Sequence, residues 1–129
     1  MNFKTYFFCS ICFIALLFSS CFRQQNQQTG NNPYIYSHTS GTILSSAPIH
    51  IWLEGSAKDE FHNGEILPSS VLQFTPSVKG QVVLSDRSML EFIPEQPFKN
   101  GQTYRVKFHV GALMDVPRQN EYFEFPVKI

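Results

Sequence analysis

Tyr104-Arg105-Val106-Lys107-Phe108-His109-Val110 is the stretch that decides the fold, because its apolar and polar residues alternate one by one. A period of two sends successive side chains to opposite faces, so the segment reads as a strand with one buried and one wet face. The pattern recurs where Ile49, Ile51 and Leu53 alternate with His50, Trp52 and Glu54, and where Phe123, Phe125, Val127 and Ile129 alternate with Glu124, Pro126 and Lys128. Further strands are expected at Tyr34 to Ile43, Val71 to Thr75, Gln81 to Leu84 and Met89 to Ile93. Turn residues separate them at Gly55, Asn63-Gly64, Ser85-Asp86 and Asn100-Gly101.

About seven short strands at this spacing, with no convincing amphipathic helix, predict an all-β fold: an immunoglobulin-like antiparallel β-sandwich over residues 33–129. That length suffices for one domain with a core and is too short for two. Proline cannot donate a ladder hydrogen bond, so Pro126 predicts that the last strand lies at a sheet edge or is paired on one side only there. Leu72-x-Phe74-x-Pro76 and Leu90-x-Phe92-x-Pro94 repeat one pattern and are expected to be equivalent edges of the sandwich. Tyr104 opens a strand just after a turn. Its ring can pack in the core while its hydroxyl returns to backbone of that turn, as in the tyrosine corner, or it can be one more strand aromatic.

Upstream of the sandwich the sequence reads as an address. Lys4 gives a short positive start, and the run Tyr6 to Phe18 is apolar but shorter than the ~20 residues of a membrane-spanning helix. Ser19-Ser20 then precede Cys21. The layout resembles the bacterial lipoprotein signal, in which a peptidase cuts before a cysteine that carries diacylglycerol; Phe18 stands where that signal usually has a smaller aliphatic residue. The resemblance implies a signal peptide over residues 1–20 and lipid on Cys21, with anchoring strengthened by about 0.8 kcal/mol for each buried methylene. Phe22 to Asn32 is polar and nearly uncharged, so residues 21–32 read as a leash with a reach of roughly 20 Å. The lipid on Cys21 makes the membrane the first expected partner. The expected location is the bacterial cell envelope, facing the periplasm, since no acidic run follows Cys21.

Of the 3 cysteines, Cys9 and Cys12 have a C-x-x-C spacing but lie inside the apolar signal, which leaves neither a disulfide nor a thiolate metal site after processing. Formal net charge is zero and the basic residues are dispersed, which removes the electrostatic footprint of a nucleic-acid binder. His38, His50, His62 and His109 are scattered and read as solvated surface residues. Asp59-Glu60-Phe61-His62-Asn63-Gly64-Glu65 gathers carboxylates and an imidazole in one loop, but the spacing matches no ligand set, so a solvated loop is expected there. No serine has a placed base or an elbow, so no catalytic residue, metal or cofactor is expected. Trp52, which shares the polar strand phase with His50, marks a possible interface, against burial under a local loop.

Taken together, Leu90-x-Phe92-x-Pro94, Phe98-x-x-Gly101-x-x-Tyr104-x-Val106, Ser40-Gly41-Thr42-Ile43 and Ser46-Ala47-Pro48-Ile49-His50-Ile51 are similar to bacterial Ig-like domains. With the lipoprotein signal, the leash and the closing Val110-Gly111-Ala112-Leu113-Met114-Asp115-Val116 and Phe123-Glu124-Phe125, the chain resembles the N-terminus of a bacterial alpha-2-macroglobulin. The resemblance implies a periplasmic protease trap, in which a target protease cuts a bait segment and is held through a thioester. Such proteins are many times longer than this chain, and the thioester motif Cys-Gly-Glu-Gln is absent here. The expectation is therefore a non-catalytic first module, a leading fragment that continues beyond Ile129, with an adjacent macroglobulin domain or an envelope protein as partner. The alternative is a free-standing Ig-like lipoprotein that binds protein or glycan in the envelope.

Overall fold

The structure, a computed structural model, describes residues 31–129. The signal segment, Cys21 and the leash up to Gly30 lie outside the described residues. Among the described residues eight strands form two antiparallel sheets: β1 (Ile35–His38), β2 (Ile49–Leu53), β3 (Glu65–Leu67), β4 (Leu72–Thr75), β5 (Gly80–Asp86), β6 (Met89–Pro94), β7 (Thr103–His109) and β8 (Tyr122–Lys128). The larger sheet has the order β1-β2-β6-β5-β3 and the smaller the order β4-β7-β8. Omitting β3, this is the four-plus-three arrangement of a constant-type immunoglobulin sandwich, with β3 added at the edge beside β5. The fold is an all-β sandwich.

Alternation explains the core. Ile49, Ile51 and Leu53 from β2, Leu90 and Phe92 from β6, and Val82 and Leu84 from β5 point inward from the larger sheet. Leu72, Phe74, Tyr104, Val106, Phe108, Phe123, Phe125 and Val127 meet them from the smaller one. Each fully buried large side chain contributes about 1.5–3 kcal/mol, so the seam between the sheets is what holds the domain together. At the start of β7 the Tyr104 ring is buried 5.2 Å from Phe98, and its hydroxyl accepts a hydrogen bond from the Lys99 backbone N–H at 3.1 Å. This ties the β6–β7 turn to the core.

Several details differ from the expectations. The stretch Tyr34 to Ile43 is not one strand: β1 ends at His38, Gly41 takes a positive φ of 74°, and Thr42 then makes a parallel bridge to Lys128 in the other sheet. The chain thus steps between sheets where only glycine adopts that backbone without strain. The hairpin between β5 and β6 turns at Arg87 and Ser88 rather than Ser85-Asp86, because a bulge after Leu84 carries β5 on to Asp86. Strand β3 is additional, and Val110 starts a single helical turn, α1 (Val110–Leu113), instead of closing β7. Of the two prolyl repeats only β4 is an edge; β6 is the centre of the larger sheet. Strand β8 is an edge, as Pro126 requires.

Asn32, read as the end of the leash, is buried. Its Nδ2 donates to the Asn120 carbonyl at 3.0 Å and its Oδ1 accepts from Tyr34 N–H at 3.0 Å. Asn32 therefore sits where β8 begins, whereas Ile129 bonds to Gln102 and Gly101 where β8 ends. The described chain begins at one pole of the sandwich and reaches Ile129 at the other.

Candidate functional site

The outward face of the larger sheet collects the polar-phase residues of β2, β6, β5 and β3. Its composition follows from register. Trp52 stands opposite Ser37 of β1 and Met89 of β6; His50 stands opposite Glu91, Glu91 opposite Val83, and Val83 opposite Ile66. The result is a belt across the sheet, with Trp52 and Met89 on one row and a polar pair flanked by aliphatic residues on the next. Ile66 and Ile93 are exposed.

Glu91 organises the belt. His50 Nε2–H donates to its Oε1 at 3.3 Å, and Ser85 Oγ donates to its Oε2 at 3.1 Å. Both side chains of the His50–Glu91 pair are more than two-thirds covered, and the His50 ring lies 5.4 Å from Trp52 at a tilt of 35°. Trp52 is half-buried, held in place by a neighbour that is itself fixed. Serine, glutamate and histidine are thus together, but the carboxylate stands between the hydroxyl and the imidazole. Nucleophile activation needs the imidazole in the middle, so this arrangement presents hydrogen-bonding groups and an aromatic surface rather than a proton relay.

The other singled-out residues fall elsewhere. His109 is only partly exposed, stacking on Tyr122 at 4.6 Å and donating to Glu121 at 3.4 Å. His38 packs inward against Phe123 and Phe125, with centroids 5.3 and 4.2 Å away, instead of facing solvent. Both are less solvated than a polar phase suggests, because each has an aromatic neighbour across the ladder or the seam. His62 is exposed. The acidic loop does not converge: Asp59 pairs with Arg87 at 2.7 Å, and Glu65 accepts from the His62 backbone N–H at 2.9 Å. Among the described residues no three His, Cys, Asp or Glu side chains form a metal-binding group. Cys21 lies outside the described residues.

Glu91 was not singled out by sequence and Ser85 was read only as a turn residue, since their link to His50 depends on a register between segments 41 residues apart. Arg87 was also missed. Its guanidinium donates to the Ala57 carbonyl at 2.6 Å as well as to Asp59, which ties the loop after β2 to the β5–β6 turn.

No protein-family model matches the chain, and no curated protein matches it at a significant score. Among solved structures, L,D-transpeptidase 3 from Mycobacterium tuberculosis with a faropenem-derived adduct is 11% identical with a TM-score of 0.48, over 73% of this chain and 36% of that one. An L,D-transpeptidase from M. tuberculosis H37Rv is 9% identical with a TM-score of 0.46, over 77% of this chain and 42% of that one. This chain spans less than half the length of either. A likeness at this level brings neither a family nor an activity with it.

Proposed function

We propose that this chain is a non-catalytic, lipid-anchored Ig-like module that serves as a spacer and docking surface, the N-terminal module of an alpha-2-macroglobulin-like protease-trapping lipoprotein of the bacterial envelope. The observation that supports this reading is the outward placement of Trp52 beside a fixed His50–Glu91 pair. Aromatic side chains kept out of a core and held rigid are suited to contact another polypeptide, because little rotamer freedom is lost on binding. The sequence features at Cys21 and the leash supply the anchor.

The test is an immunoblot of cell envelopes, with an antibody against residues 33–129, after labelling with radioactive palmitate. The proposal expects one labelled polypeptide far larger than 129 residues, and loss of label in Cys21→Ser. A labelled species no larger than this chain overturns the macroglobulin reading in favour of a free-standing lipoprotein. Equal label in Cys21→Ser removes the anchor.

A further inference from the structure

The four sheet edges are not alike. Strand β1 carries a bulge between Ile35 and Ser37, β3 has only three residues and includes Glu65, and β8 contains Pro126 and is bonded at its end by Gly41 and Ile43. Bulges, charges, brevity and proline are the devices that keep strand edges from pairing. Strand β4, Leu72-Gln73-Phe74-Thr75, is short and is followed by Pro76, but it has no bulge or charge within it, and among the described residues it pairs only with β7.

Beside this edge lies a groove of about 620 Å³ that runs between β4 and the start of β5, lined by the polar Ser69, Ser70, Gln73, Thr75 and Ser77 with the buried Phe74, Val82 and Phe92 behind them. Among the described residues β3 pairs β5 only from Val82 to Leu84, which leaves Gly80 and Gln81 without a strand on that side. Glycine is required at 80: a Cβ there would come within 2.5 Å of both the Ile93 carbonyl and the Phe92 ring. The groove is thus built from the packing of the sandwich itself.

We infer that the β4 edge and its groove bind an uncharged, extended polypeptide segment by β-augmentation. An open strand edge offers N–H and C=O groups at alternate positions, a pattern that another strand satisfies. The edge and the serines around it, Ser69, Ser70 and Ser77, are neutral. Lys79 and Glu95 of opposite sign share one end, so the charge-matched occupant is itself uncharged. A second copy paired through β4 is the competing occupant, and the experiment separates the two. This inference concerns a different surface from the Trp52 belt and stands apart from the proposal above.

The experiment uses the full chain in detergent and the blocked peptide acetyl-Thr-Val-Thr-Val-Thr-Val-amide, followed by amide NMR and hydrogen exchange. Slowed exchange along β4, with shifts at Phe74 and Gly80 and none at Trp52, is expected. A backbone N-methylated peptide should bind at least tenfold more weakly, because it cannot pair. Ser70→Arg with Ser77→Arg, two exposed positions at the groove lips, should weaken binding by a similar factor with an unchanged melting temperature. No protection of β4, or equal binding of the N-methylated peptide, overturns the inference. Protection that rises with protein concentration in the absence of peptide overturns it in favour of self-pairing.

Discussion

Strands β4 and β6 carry the same sequence pattern and hold opposite positions. Leu72-x-Phe74-x-Pro76 is an edge with one paired side, whereas Leu90-x-Phe92-x-Pro94 is the centre of the larger sheet, paired to β2 and β5. Yet Phe74 and Phe92 meet across the seam with ring centroids 4.3 Å apart. Alternation encodes which face of a strand is buried; how many neighbours the strand has is decided by segments far away in sequence. The difference shows in exposure: Phe92 is 2% exposed, and Phe74, beside the groove, is 9% exposed.

Truncation separates the two most sharply. Phe92→Ala should cost about 3–5 kcal/mol. By thermal melting that corresponds to roughly 4–8 °C per kcal/mol for a domain of this size. Phe74→Ala should fall at or below the low end of that range, since Phe74 keeps 9% of its surface exposed. Because the two rings touch, the double variant should be less damaging than the sum, and strict additivity in a double-mutant cycle would mean that they do not pack as described. Gly80→Ala comes next, with about 1–3 kcal/mol of destabilisation from the clash with Phe92 and the Ile93 carbonyl. Tyr104→Phe leaves the Lys99 N–H without its partner and should cost about 1 kcal/mol by chemical denaturation. His50→Ala, on the outer face, should shift stability by less than about 0.5 kcal/mol; a loss as large as that of Phe74→Ala would make the belt part of the core.

The inward phases of β2, β6, β7 and β8 were legible, because period two is local, but Glu124 on the polar phase of β8 is buried opposite Lys107 rather than facing solvent. The edge position of β8 was legible too, since Pro126 lacks a donor. What could not be read rests on pairing at a distance or on very short elements. Three residues at Glu65–Leu67 are too few to show an alternation, and Val110 continues the period of β7 while its backbone begins α1. The Glu91 pivot under His50 required the β2–β6 register, and the groove required knowing that β3 stops before Gly80. Tyr104 was conspicuous for a local reason: it follows a turn marked by Asn100-Gly101.

The step of the first segment from one sheet to the other has a mechanical consequence. Gly41 to Ile43 runs parallel to the end of β8, with Ile43 N–H donating to the Lys128 carbonyl and Lys128 N–H to the Gly41 carbonyl. Asn32 lies at one pole and Ile129 at the other. Tension applied between Asn32 and Ile129 would pull these two parallel segments in opposite directions along their own axes. The bonds between them would be loaded together in shear, which resists far better than the one-by-one unzipping of a hairpin.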